Sequence, residues 1–142
     1  MNKKQIGRIG ENIACKFLIN NGFEIIDQNY QKRIGEIDII AFKKGTFHFF
    51  EVKTVSRETF NTNNNAFKNR NHNPEDNVTH EKINKIEKTA KIFMKQKGFT
   101  DEYVQIDLLT VYLLSVNLES VLDENKIDNI AYTIKYFPNI NF

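Results

Sequence analysis

The sequence predicts an α/β fold in which a mixed β-sheet is flanked by helices. Two runs repeat apolar residues at helical spacing, one near the start and one after residue 79. Between them lie three runs rich in Ile, Phe and Val, and another such run follows the second helix. Helix, three strands, helix, strand is the order of a sheet covered by helices.

The first helix carries Ile6, Ile9, Ile13, Ala14, Phe17 and Leu18 on one stripe, and Gly22 after Asn20-Asn21 stops it. Phe23 to Asn29, Ile34 to Phe42 and Thr46 to Val55 read as strands, the last two joined by a Lys44-Gly45 turn. From Ser56 to Asn77 asparagines crowd a stretch with few apolar residues, and a mobile loop is expected there. Thr79 can cap the second helix and Gly98 can end it. Its apolar face is Ile83, Ile86, Ala90, Phe93 and Met94, while Lys82, Lys85, Lys88, Lys91 and Lys95 fall on the rest, which reads as a solvated face. Tyr103 to Leu114 is apolar on both faces, as a central strand covered twice should be. A last strand runs from Ala131 to Phe137, and no internal repeat is present.

A chain of 142 residues fits a single domain spanning 1–142, with the mobile loop at about 56–77. Lys and Arg number 20 against 18 Asp and Glu, so the net charge of +2 does not by itself announce a nucleic-acid partner. The single Cys15 excludes an intramolecular disulfide and a cysteine-based zinc cluster, and a reducing compartment follows. No apolar run approaches the roughly 18 to 20 residues of a membrane span, and the polar Met1-Asn2-Lys3-Lys4-Gln5 start does not resemble a signal segment. The expected location is cytoplasmic, away from membranes.

Strict alternation puts Glu36, Asp38 and Ile40 on one face of the second strand and Ile37, Ile39 and Ala41 on the other. In the third strand Glu51 and Lys53 share a face among Phe49, Phe50 and Val52. Burying a carboxylate costs several kcal/mol unless it is paired or bound to metal. Asp38, Glu51 and Lys53 are therefore either an ion-pair set on adjacent strands or ligands of a hard divalent cation, which takes one or two carboxylates with waters and phosphate oxygens. Glu11 sits at the border of the first helix's apolar stripe, facing the sheet edge, and Gly7 and Gly10 before it permit close approach to another backbone. His48, His72 and His80 are too scattered for a ligand set. Asp107 reads as a structural hydrogen-bonding group and Cys15 as packing.

Ile6-Gly7-Arg8-Ile9-Gly10-Glu11, Asn29-Tyr30, Gly35-Glu36-Ile37-Asp38-Ile39-Ile40 and Phe50-Glu51-Val52-Lys53-Thr54 together resemble the bacterial YraN family of PD-(D/E)XK restriction-endonuclease-like nucleases. The likeness continues through Pro74-Glu75, Val78-Thr79, Ile106-Asp107 and Phe142, and the layout is similar to archaeal Holliday-junction resolvases. It implies a restriction-endonuclease-like αβββαβ core and a metal-dependent endonuclease that hydrolyses phosphodiester bonds in DNA, branched or junction DNA included. By that resemblance Asp38 and Glu51 hold Mg²⁺ or Mn²⁺, Glu36 is a further candidate ligand, Lys53 assists the chemistry, and Glu11 positions a water or a second ion. A resolvase layout also implies a homodimer, because a four-way junction needs two symmetric cuts. Gln31 and Gln105 stand where the family more usually has basic residues, the Asn-rich loop is longer, and Ser115 to Asn129 reads as an insertion. The competing expectation is a non-cleaving nucleic-acid or protein-binding module that keeps the nuclease fold.

Overall fold

The computed structural model describes residues 2–56, 78–114 and 130–140. The expected loop beyond Ser56, the 115–129 segment, His72, Pro74, Glu75 and Phe142 lie outside the described residues. Helix α1 (Lys3–Asn20) starts at a reciprocal cap: Asn2 Oδ1 accepts from Gln5 N–H at 2.9 Å and Gln5 Oε1 accepts from Asn2 N–H at 3.0 Å. It leads through Gly22 (φ 86°) into β1 (Glu24–Lys32), β2 (Gly35–Lys43) and β3 (Thr46–Ser56). Helix α2 (His80–Lys97), capped by Thr79 and closed by Gly98 (φ 76°), leads to β4 (Tyr103–Leu113), and β5 (Tyr132–Phe137) completes the sheet.

The five strands lie in the order β1-β2-β3-β4-β5. Neighbours are antiparallel except β3 and β4, which run parallel with α2 in the crossover between them. The sheet is therefore mixed, as the sequence predicts, and among the described residues one helix lies on each face. Ile6, Ile9, Ile13, Ala14 and Leu18 of α1 pack on Ile39, Ala41, Phe50, Leu109 and Val111. Ile83, Ile86, Ala90, Phe93 and Met94 of α2 pack on Ile37, Ile40, Phe47, Phe49 and Ile106. The anticipated apolar face of α2 is the one that is buried. β4 is covered on both sides, which explains its apolar run.

Three expectations need correction. β1 continues to Lys32, past the expected end at Asn29. Second, β2 does not alternate strictly: Ile37 faces α2 with Ile40, whereas Ile39 and Ala41 face α1. The slip falls at Asp38. Paired residues of β2 and β3 run only from Lys43↔Thr46 to Ile39↔Phe50, so the two strands part just before Asp38. β1 is irregular at the same level, because Asn29, between the pairs Gln28↔Ile39 and Tyr30↔Ile37, has φ 52°. Asparagine tolerates that left-handed conformation better than most side chains. Third, only one of the two helix glycines serves close approach. A Cβ on Gly10 would lie 1.7 Å from Thr54 Oγ1, whereas a Cβ on Gly7 would meet nothing within 4 Å.

Candidate functional site

The fork between β2 and β3 is where the expected site residues meet. Asp38 Oδ2 accepts the Val52 N–H at 2.8 Å, so a side chain takes the ladder bond that the parted β2 backbone cannot. Glu51 follows the β3 alternation onto the α2 face, is buried, and shares a hydrogen bond with Asp38. Burial first, and then the charge of Glu51, push the Asp38 carboxyl up to about 8, against the lowering effect of the Val52 N–H. Two carboxyl groups are thus held together in a partly dry place.

Cations converge on that pair. Lys53 Nζ lies 3.5 Å from Glu51 Oε1 and Lys82 Nζ lies 2.5 Å from the same oxygen. Lys82 comes from the first turn of α2, where its N–H is held by the Thr79 hydroxyl at 3.2 Å. Burial would lower the Lys82 ammonium's pKa, but the hydrogen bond and charge of Glu51 outweigh it and the net direction is up. The sequence placed Lys82 on the solvated face with the other lysines. The signal that it differs is its position one turn before Ile86 and two before Ala90, along the row that faces the sheet.

Glu11 reaches the fork from the other layer. The contact of Gly10 with Thr54 brings α1 against β3. The Glu11 carboxyl is raised by burial and by the charges of Glu36 and Glu51, while a hydrogen bond from Asn29 lowers it. Asn29, which the sequence placed only within a motif, thereby acts as the local partner of Glu11. Glu36 stays at the rim, exposed, and accepts from Gln31 Nε2 at 3.1 Å. It is near enough to act on Glu11 but is not joined to Asp38. On the α2 face Thr110 stands beside Lys53 in the β3–β4 register, and its buried hydroxyl has no partner among the described residues.

A second polar group occupies the α1 face. Asp107 accepts from His48 Nδ1 at 2.6 Å, Tyr136 Oη at 2.7 Å, Asn139 N–H at 2.7 Å and Gln105 Nε2 at 2.8 Å. Burial would raise its carboxyl, but those donors together hold it below the usual carboxylate range. This is the structural role expected of Asp107, and it accounts for His48 and Gln105 as well. Gln31 and Gln105, the two departures from the expected basic pattern, each donate to a carboxylate. Cys15 is buried and its thiol is pushed up to about 11 by burial and then by Glu11, which suits packing.

Among the described residues no helix is long and apolar enough to cross a membrane, and no group of three His, Cys, Asp or Glu side chains is arranged to hold a metal. What the fork offers is a pair of carboxylates with two ammonium groups beside them and a third carboxylate approaching from α1.

The family described as "Uncharacterised protein family UPF0102" matches residues 10–111, a span that contains Glu11, Asp38, Glu51, Lys53 and Lys82. A UPF0102 protein of Dictyoglomus turgidum is 35% identical over 113 residues, which cover 80% of this chain and 86% of that protein. A UPF0102 protein of Campylobacter lari is 37% identical over 124 residues, covering 87% of this chain and 90% of that one. A third, from Campylobacter fetus, is 33% identical over 133 residues, covering 94% and 90%. Coverage of that extent, on an α/β fold compatible with restriction-endonuclease-like proteins, means that the chain belongs to the UPF0102 (YraN) family of the PD-(D/E)XK-like nuclease superfamily.

Proposed function

We propose that this protein is a metal-dependent phosphodiesterase acting on DNA, with branched and junction DNA the first substrates to test. The observation that carries the reading is the Asp38–Glu51 pair: two carboxyl groups share a hydrogen bond at a strand fork, and burial, then the charge of Glu51, raises Asp38. Such a pair is costly with both groups ionised, and a hard cation removes the cost. The donor set suits Mg²⁺ or Mn²⁺, since Mg²⁺ takes one or two carboxylates and completes its shell with water and phosphate oxygens. Asp38 and Glu51 would hold the ion. When bound, it supplies a Lewis acid at the phosphate and a water of lowered pKa.

The remaining roles belong to the chain's own groups. Val52 N–H fixes the direction of the Asp38 carboxylate. Lys53, beside Glu51, is placed to stabilise negative charge as it develops on the phosphate, a contribution that preorganised cations make at little reorganisation cost. Glu11, half-buried and held by Asn29, orients a water near the fork. On a four-way junction the reading requires two copies related by a twofold axis.

The test is cleavage of linear, flapped and four-way DNA with Mg²⁺ or Mn²⁺, by the wild type and by Asp38→Asn. Divalent-dependent cutting that collapses by two or more orders of magnitude in the variant, with DNA binding kept, is the expected result. Tight DNA binding with no cutting of any substrate would support the non-cleaving module instead.

A further inference from the structure

Glu51 Oε1 is approached by both Lys53 and Lys82. The two lysines are not equivalent. Lys53 lies on β3, two residues from Glu51, and its side chain is 30% exposed, whereas Lys82 reaches across from α2 with 40% of its side chain exposed. Lys82 also lines a cleft of about 350 Å³ with Lys85, Glu81, Thr79, Gly35 and Glu36, between the first turn of α2 and the start of β2. Its stem therefore stands between two places, the carboxylate pair and an open cleft.

We propose that Lys82 is a positioning residue that exchanges partners: it neutralises Glu51 while the fork holds no cation, and it turns to a DNA phosphate in the adjoining cleft when a cation takes the carboxylates. The proposal rests on the metal-dependent reading above. Its physical basis is charge. Asp38, Glu51, Lys53 and Lys82 sum to zero when all are ionised and Glu11 adds one negative charge, so a divalent ion entering the pair leaves an excess of positive charge in a partly dry place. A cation on Glu51 Oε1 competes with the ammonium for the same oxygen and repels it. A flexible four-carbon stem lets Lys82 leave, and a phosphodiester in the cleft supplies the anion that both cations then share. Cation and DNA should consequently bind with positive coupling, each raising the affinity for the other. Lys85 and Glu81 line the same cleft and pair with each other at 3.6 Å, so their charges offset and a change of partner by Lys82 is what alters the charge a phosphate would meet there.

The test uses Lys82→Met, which keeps the stem and removes the charge, with Lys82→Gln as a second neutral variant and Lys82→Arg as the conservative one. Mn²⁺ is titrated calorimetrically into each free protein. Binding of the DNA panel is then measured across a salt series with Ca²⁺ in place of Mg²⁺. The expected result has opposite signs: both neutral variants bind Mn²⁺ several-fold more tightly than wild type, and bind DNA several-fold more weakly with a salt slope reduced by about one. Lys82→Arg should restore the slope. Wild-type Mn²⁺ binding that the neutral variants leave unchanged or weaken would overturn the exchange and leave the cation site standing. Unchanged DNA affinity and slope would overturn the phosphate half. No Mn²⁺ binding by the wild type would overturn both this proposal and the reading beneath it.

Discussion

Asp107 and Asp38 are carboxylates of the same sheet, and their surroundings drive them in opposite directions. Asp107 sits on the α1 face with a donor for every lone pair: an imidazole, a phenol, a side-chain amide and a backbone N–H. Its acceptor positions are filled, so its carboxyl is pulled down despite burial. Asp38 sits at the fork with one N–H, a neighbouring carboxyl and cations that are drawn chiefly to Glu51. Its carboxyl is pushed up. Burial raises both carboxyls most strongly; what separates the two is the donors that oppose it, four on Asp107 and one backbone N–H on Asp38.

The contrast is broken most directly by removing each charge in turn. Asp107→Asn keeps the shape but puts an amide where four donors converge, and it should cost about 3 kcal/mol, or roughly 10 °C in melting temperature. Asp38→Asn relieves a repulsion and should leave the melting temperature unchanged or higher. Thermal denaturation of both variants checks the pair, and equal losses would erase the distinction.

A somewhat smaller effect is expected from Gly10→Ala. The new methyl group would meet the β-branched Thr54, which has little freedom to move aside, so α1 must shift off β3. The cost should be roughly 1 to 3 kcal/mol by denaturant unfolding. Because Glu11 moves with α1, cleavage should fall further than stability alone explains. Gly7→Ala, with open space around it, should do neither.

A further test sharpens the comparison through pH. A carboxyl raised on folding contributes stability that is fully present below its unfolded value and is lost as pH rises through its folded value, which for Asp38 spans 3.8 to about 8. Asp107, lowered on folding, does the reverse: its contribution is present above 3.8 and is lost only as pH falls below that. Urea unfolding should therefore show stability declining between pH 5 and 8, and Asp38→Asn should flatten that decline. The acid limb should remain in Asp38→Asn and shrink in Asp107→Asn.

How much of this could be read from the sequence depended on how local each cause is. Ile6, Ile9 and Ile13 or Ile83, Ile86 and Ala90 announce helices because their spacing is a local property of the chain. Glu51 and Lys53 stood out because charges among Phe49, Phe50 and Val52 have few explanations. The face of Ile37 could not be read, because the slip at Asp38 arises where β3 departs from β2, and alternation assumes that strands stay paired. Lys82 was hidden among similar lysines, since only the packing of α2 on the sheet makes it different. The four donors of Asp107 include Tyr136 and Asn139, far along the chain, so neither its compensation nor the role of His48 had a local signal.

The central claim is that the Asp38–Glu51 pair is a cation site and Asp107 is not. Calorimetric titration of Mn²⁺ into wild type, Asp38→Asn and Asp107→Asn tests it without needing the right DNA. The expected result is one site per chain in the wild type, its loss in Asp38→Asn, and its retention in Asp107→Asn under conditions where that variant is folded. Equal Mn²⁺ binding by wild type and Asp38→Asn, or none by either, would contradict it.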